Sequence, residues 1–368
     1  MTTSDPIRVG LVGFGFVSEI FHAPLLSKSQ RFTLTHVAER STDKARQAYP
    51  GIERCTSLEE MLATDVELVV IATPTAGHFE AARAAIVAGK HVVCEKPFTV
   101  TAAEAAELAA LAHAQGVVLT VFHNRRWDGD FLTLQGVLAT EELGEVVEYA
   151  AHYDRFRPEL KDGNVWRERD EPGSGVLYDL GSHLIDQALQ LFGRPSAIAA
   201  DLRRQRDPKS AVDYFDVDLR YASRPELKVT LRSGCVATAH MALPRYVVHG
   251  RRGSFVKRGL DVQEDQLKAG GHPGTKGWGV EPETQHGVLT TQGATREVRS
   301  ERGRYEAFYE AVAAAVRDGK PAPVLAADAA LVVQLIELAA QSAANDSRLV
   351  PVPAEPAAWA SCGVTGGA

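Results

Sequence analysis

The chain has 368 residues, 45% of them hydrophobic and 24% charged, which suits a globular protein too long for one compact core and points to two domains. A formal charge of −7 argues against nonspecific attachment to nucleic acid or to an anionic membrane, while leaving room for a local basic pocket. Four scattered cysteines (Cys55, Cys94, Cys235 and Cys362) form neither a CxxC pair nor a Cys/His metal spacing, so no metal site is expected and the thiols read as small core residues of a reducing, cytoplasmic compartment.

In chain order, Asp5 and Arg8 interrupt the N-terminus before any apolar run of signal-peptide length. IRVGLVG (7–13), TLTHVAE (33–39), VELVVIAT (66–73), HVVCEKP (91–97) and VVLTVFH (117–123) are then short, apolar and rich in β-branched residues. Amphipathic, alanine-rich stretches such as AGHFEAARAAIVAG and TAAEAAELAALAHAQG separate them, the pattern of βαβ units around a parallel sheet covered on both faces. VELVVIAT, the longest apolar stretch, is too short to cross a bilayer. These elements predict a dinucleotide-binding domain over 1–125.

Beyond it the texture changes. Helices are expected over 129–140 and 174–192, followed by FDVDLRY, LKVTLRS, CVATAHMAL and GSFVKRG, whose period-two alternation predicts a mainly antiparallel sheet with one covered face. Residues 269–283 are glycine-rich and predict a long loop, functional or disordered. Helices over 304–318 and 326–344 close a second, α+β domain spanning 126–351, and a Pro/Ala/Gly-rich tail, 352–368, is expected to be loose. The expected fold class is α/β, a doubly wound parallel sheet followed by this second domain.

Strand 7–13 runs into Gly10-Leu-Val-Gly13-Phe-Gly15-Phe16-Val17-Ser18, a dinucleotide fingerprint in the right context. Gly13 and Gly15 would permit the tight turn and the approach of backbone to pyrophosphate, and Ser18 is small enough for helix–strand packing. The next strand ends at Glu39-Arg40. A carboxylate there accepts hydrogen bonds from ribose hydroxyls and favours NAD, whereas a guanidinium neutralises a 2′-phosphate and favours NADP. Thr73 and Pro74 end the strand 66–73 where they can line the cofactor, and His78 either joins them or simply sits in a first helical turn.

In GVLYDLGSHLIDQAL (175–189), Asp179, His183 and Asp186 fall at i, i+4 and i+7, within about 60° of one another on a helix. Leu177, Leu180, Leu184, Ile185 and Ala188 take the other side. Alone, this is an amphipathic helix with a wet face. Together with the fingerprint and Cys94-Glu95-Lys96-Pro97, however, the chain resembles the glucose–fructose oxidoreductase/inositol dehydrogenase (Gfo/Idh/MocA) family over nearly its whole length. Lys96 matches the lysine of that family's EKP motif, and Asp179 and His183 match its Asp-x-x-x-His motif. FHAPLL (21–26) and HNRRWDGDF (123–131) are most similar to the branch containing NADP-dependent scyllo-inositol dehydrogenases, although that branch carries small polar residues where this chain has Glu39. The resemblance implies an N-terminal Rossmann domain, an open antiparallel sheet in the second domain, and a homodimer or homotetramer formed through that sheet.

Alcohol oxidation needs a base for the hydroxyl proton and a fixed cation beside the developing oxyanion. His183 and Lys96 are of those types, with Glu95 adjoining the cofactor. Asp179 would hold substrate hydroxyls or tune the histidine, and Asp186 would support them or be solvated. Asn124, Arg125, Arg126, Trp127 and Asp128, just past strand 117–123, would bind a polyol or sugar, with Asn124, Arg126 and Trp127 as the substrate contacts, or else form a salt-bridge cluster between domains. Trp166-Arg167 and Trp278 are weaker candidates for the pocket wall or a subunit contact. The expected activity is hydride transfer between NAD or NADP and a secondary alcohol of a polyol, inositol or cyclic sugar. Alternatives are a dinucleotide- or sugar-sensing regulator and an NAD-using glycosidase.

Overall fold

The computed structural model describes residues 5–40, 42–161, 165–240 and 242–354, so Cys362 and most of the expected loose tail lie outside the described residues. The first sheet has six parallel strands: β1 (Ile7–Val12), β2 (Phe32–Ala38), β3 (Glu53–Cys55), β4 (Leu68–Ile71), β5 (His91–Cys94) and β6 (Leu119–Val121), in the order β3-β2-β1-β4-β5-β6. Because all six run parallel, the residues that follow each strand collect along one edge. The five apolar runs read from the sequence are five of these strands. The remaining one, β3, has three residues, too few for a hydrophobic period to show.

The second sheet has nine strands: β7 (Val146–His152), β8 (Ala197–Arg203), β9 (Tyr214–Arg220), β10 (Lys228–Gly234), β11 (Pro244–Gly250), β12 (Gly253–Arg258), β13 (Gly287–Thr291), β14 (Ala294–Val298) and β15 (Val350–Pro351). Their order is β14-β13-β12-β11-β7-β10-β9-β8-β15, antiparallel except for the pair β7/β10. On β9 Phe215, Val217 and Leu219 are buried, while the alternate residues are only partly covered, as a one-faced sheet requires. The expected strand CVATAHMAL is not a strand of the sheet: past β10 an isolated bridge from Val236 to Phe156 continues the pairing, the described chain then turns, and the next strand starts at Pro244.

The helices Ala102–Gln115, Gly129–Ala139, Glu306–Asp318 and Ala326–Ala343 match the sequence expectations. The first is closed by a Thr101/Glu104 capping box and by Gly116 in the left-handed region, φ 64°. The fourth is long and apolar enough to cross a membrane by length and composition, so VELVVIAT is not the longest such element. Its packing explains that composition. Ala329, Ala330 and Val333 enter the core of the first sheet, and Val332, Leu335 and Ile336 that of the second. Tyr305, Phe308 and Val312 also return to the first core, so the two cores do not divide at a single point in the chain.

Trp278 shows what the glycine-rich loop does. Its ring is buried in the first core and its Nε1 donates to Glu306 Oε2 at 2.9 Å, so it pins 269–283 down and stays out of the main cleft described below. The three described cysteines, Cys55, Cys94 and Cys235, are buried and free.

Candidate functional site

A cleft of about 520 Å³ lies where the carboxyl edge of the parallel sheet faces the second domain. Phe16, Val17, Glu95, Lys96 and Asn124 line it from the first side, and Arg155, Arg167, Asp179 and His183 from the other.

The glycine turn adjoins it through Phe16 and Val17. Gly13 has φ +85°, a conformation that glycine adopts without a Cβ penalty, and its N–H is tied to Ala38 O at 3.1 Å. Ser18 Oγ donates to Gly13 O at 2.7 Å, closing the turn that leads into the wide turn Ser18–His22 and the helix Ala23–Ser27. A Cβ on Gly15 would meet nothing within 4 Å, so the protein's own packing does not demand glycine there. A dinucleotide pyrophosphate approaching that backbone does, and the cradle fits one. Thr73 lies against Gly13, whose added Cβ would sit 3.9 Å from Thr73 Cγ2, while Pro74 is exposed at the same edge.

Two expected cofactor contacts are engaged elsewhere. His78 is buried, with Nε2 2.9 Å from Thr73 O and Nδ1 3.0 Å from Pro97 O, so it ties the loop after β4 to the loop after β5 instead of facing the cleft. Burial pushes its pKa down against the pull of the carbonyl oxygens around both ring nitrogens. Glu39 is also buried. Its Oε2 accepts from Ala45 N at 3.2 Å and its Oε1 from Thr42 Oγ1, which turns the carboxylate into its own loop, whereas neighbouring Arg40 is exposed.

Glu95 is held from behind. Its Oε1 accepts from His22 Nε2 at 3.0 Å, and the other ring nitrogen lies 2.6 Å from Tyr309 Oη. With a carboxylate on Nε2, that nitrogen carries the proton and the tyrosine hydroxyl donates to Nδ1. Glu95 Oε2 accepts from Lys96 N at 3.0 Å, so the chain fixes the backbone from which Lys96 projects. His22 lies within FHAPLL, and only its long-range partner reveals this role.

Lys96 Nζ reaches the second domain, donating to the carbonyl of Asp179 at 2.8 Å and to its Oδ1 at 3.0 Å. The expected continuous helix begins here as a wide π-type turn, Leu177–Gly181, before Ser182–Phe192. Such a turn departs from the i→i−4 ladder, in keeping with a carbonyl that accepts from a side chain. Arg155 Nη1 lies 3.4 Å from Asp179 Oδ2 and Arg167 Nε 3.7 Å from Oδ1. Burial alone would raise the pKa of Asp179, but the three cations hold the carboxyl far below its usual range. Asp179 therefore holds the lysine; no hydrogen bond joins it to His183.

His183 is buried at the cleft wall with Nδ1 unpartnered. Burial, then Lys96, Arg125 and His123, push its pKa well below 6.5, so the ring is neutral and able to take a proton. His123 packs edge-on to it with centroids 6.3 Å apart; both its ring nitrogens are buried without partners, and burial lowers its pKa to about 4.

The HNRRWDGD segment divides. Asn124 lines the cleft, and so does Arg125, whose guanidinium reaches Glu264 Oε2 at 2.8 Å and stacks over Tyr153 at 5.0 Å. Arg126 does not line it. It is mostly covered and paired with Asp186 at 2.6 Å and Asp328 at 3.3 Å, the domain-junction alternative, and the buried Asp186 is accordingly neither solvated nor beside the cleft. Trp127 packs edge-on against Phe308 at 5.6 Å in the first core. Trp166 lies outside the main cleft, in a small crevice with Lys96 and Asp179, with Arg167 stacked on it at 4.5 Å. Arg155 and Arg157 were missed because two arginines after a strand carry no motif. Among the described residues no three His, Cys, Asp or Glu side chains group as a metal site.

Comparison with known proteins bears on this geometry. Residues 7–123 match the oxidoreductase family's NAD-binding Rossmann fold, and residues 136–353 match its C-terminal alpha/beta domain. The oxidoreductase YdgJ of Escherichia coli (strain K12) is 43% identical over 94% of this chain and 99% of its own. The scyllo-inositol 2-dehydrogenase (NADP(+)) IolW of Bacillus subtilis (strain 168) is 39% identical over 92% of this chain and 94% of its own. A solved structure of the oxidoreductase YvaA from Bacillus subtilis superposes with a TM-score of 0.90 at 38% identity, covering 95% of this chain and 99% of that one. The chain belongs to the Gfo/Idh/MocA oxidoreductase family, with its NAD-binding Rossmann domain and C-terminal α/β domain both present.

Proposed function

We propose that this oxidoreductase interconverts a secondary alcohol of a polyol, inositol or cyclic sugar with the corresponding ketone. The observation that carries this reading is one cleft holding an ammonium fixed by Asp179, a neutral buried imidazole and a glycine turn open to a dinucleotide. A bound nicotinamide dinucleotide supplies the acceptor or donor of hydride. Lys96 stabilises the negative charge that develops on the carbinol oxygen, and His183 takes the hydroxyl proton in oxidation and returns it in reduction. Asp179 keeps the ammonium in place through both its carbonyl and its carboxylate. Asn124 and Arg125 offer hydrogen-bonding groups to substrate hydroxyls.

For the cofactor, the reading favours NADP. Glu39 spends its carboxylate on Thr42 and Ala45, while Arg40 stays exposed at the end of β2 for a 2′-phosphate; the similarity to an NADP-dependent relative points the same way. We also assign a homodimer or homotetramer to the second sheet, to be checked by light scattering.

The test is a matrix of inositols, polyols and cyclic sugars against NAD and NADP, read by nicotinamide absorbance. Turnover with at least one cyclic polyol, at higher kcat/KM with NADP, is expected. No absorbance change with any pair would sink the reading, and an NAD preference would remove the role given to Arg40.

A further inference from the structure

The cleft does not end at Asp179. Past β7 the backbone stays extended along the chain beyond β10, with Arg155 N donating to Gly234 O at 2.8 Å and Arg157 N to Cys235 O at 2.7 Å. Residues two apart on extended backbone point to one side, so both guanidiniums face the same space. The turn Trp166–Glu168 adds Arg167, and Arg206 closes the far wall, itself braced by Asp213 at 3.0 Å and Glu168 at 3.2 Å. These side chains surround a chamber of about 90 Å³ that shares Arg155, Arg157, Lys161, Arg167 and Asp179 with the main cleft.

Charge is out of balance there. Five cationic side chains and two carboxylates, Glu168 and Asp179, line the chamber. One of those carboxylates already serves Lys96, Arg155 and Arg167, the last two at 3.4 Å and 3.7 Å, long for charge-assisted bonds. Each guanidinium carries five N–H donors in a planar fork; Arg206 commits its Nε to Asp213 and its Nη1 to Glu168 and to the carbonyls of Arg157 and Glu159, which leaves Arg155, Arg157 and Arg167 to turn donors toward the chamber. The chamber extends away from the glycine turn: every residue lining it belongs to the second domain, and Arg206 lies outside the main cleft, which Arg155, Arg157, Lys161 and Arg167 share with Phe16 and Val17.

We propose that this chamber binds an oxyanion carried by the substrate, a carboxylate or a phosphate on a sugar or polyol whose reacting carbinol lies between Lys96 and His183. The proposal rests on the alcohol-oxidising reading above and narrows its substrate to an acidic member of that class. Arg155 and Arg157 grip the anion, and Asp179 stands between the two sites, holding Lys96 on one side and the arginines on the other.

The experiment compares D-glucose, D-glucuronate and D-glucose 6-phosphate with the full chain. It measures kcat/KM with saturating NADP and, separately, binding of each sugar to the NADP-loaded protein by calorimetry. At least one acidic sugar should exceed D-glucose by tenfold or more in kcat/KM and in affinity, and that advantage should shrink as salt rises. Whether glucuronate or the phosphate wins separates the two anion chemistries. In Arg157→Gln, an exposed position whose replacement leaves the core intact, the acidic-to-neutral ratio should fall at least tenfold. If acidic sugars bind with these properties but none turns over, the chamber stands and the reaction assignment falls. If neutral sugars turn over while acidic ones show neither preference nor tighter binding, the chamber proposal is overturned and the reaction stands.

Discussion

Two ion pairs cross from the edge of the parallel sheet to the same helical segment of the second domain, and they have opposite characters. Lys96, past β5, reaches Asp179, and Arg126, past β6, reaches Asp186, with His183 between the two aspartates in sequence. The outer pair keeps 14% and 22% of its side-chain surface and opens on the cleft, whereas Arg126 keeps 10% and Asp186 only 2%. Arg126 meets Asp186 in a forked geometry, both its Nε and Nη2 donating, and gains Asp328 as well. Lys96 is a point charge with a single donor atom, shared between a carbonyl and a carboxylate that two arginines also claim. A buried, saturated pair is a rivet between domains. A half-open, oversubscribed one can release donors to a ligand.

That contrast breaks most visibly at the rivet. Arg126→Met strands the buried Asp186 carboxylate and should cost ~3–5 kcal/mol in urea unfolding, much of it recovered by adding Asp186→Leu. A single variant as stable as the parent would mean that the pair does not brace the domains. At the outer pair the loss should be kinetic: Lys96→Ala is expected to lower kcat by about 10²–10³-fold while leaving NADP affinity and unfolding midpoint largely intact. Near-parental turnover would remove Lys96 from the chemistry.

Between the pairs, His123 and His183 are buried and neutral, with pKa values pushed below 6.5, to about 4 for His123. Above pH 6.5 the ring is neutral in both folded and unfolded chains. Below it the unfolded chain gains a proton that the folded one refuses, so stability falls from pH 6.5 toward 4, on the order of 3 kcal/mol for His123 alone. The slope of unfolding free energy against pH, with His123→Asn as comparison, checks this; an unchanged slope in that variant would refute it. For catalysis, the depressed pKa of His183 keeps it a base at pH 7, so the acid limb of kcat/KM for oxidation should fall below 6.5.

Smaller effects sharpen the comparison. Asp179→Asn should lower kcat by only about tenfold, because the Asp179 carbonyl still holds Lys96. A loss equal to that of Lys96→Ala would place the carboxylate itself in the chemistry. Arg40→Ala should shift the NADP-to-NAD ratio of kcat/KM by about fivefold toward NAD, a surface charge effect that rising salt diminishes.

How much of this could be read beforehand varied from residue to residue. Gly13, Gly15, Lys96 and the Asp179/His183 helix stood out because each belongs to a local pattern: a turn after a strand, a strand end, a helical face. Asn124 and Arg125 against Arg126 and Trp127 could not be sorted, since consecutive residues in the short turn Asn124–Trp127 point in different directions and only the packed neighbours decide which ones meet solvent. Glu39 looked like a ribose ligand by position, and Thr42 and Ala45 capture it in the structure.

The parallel sheet, the one-faced second sheet and the chemical types at the strand ends were legible in the residues alone, because hydrophobic period and glycine placement act over neighbouring residues. Which charges pair across 60 to 83 residues of chain, which histidines lose their water, and where the arginines after β7 converge emerged only when the elements packed together. Those outcomes depend on desolvation and on distances between elements that no local pattern encodes.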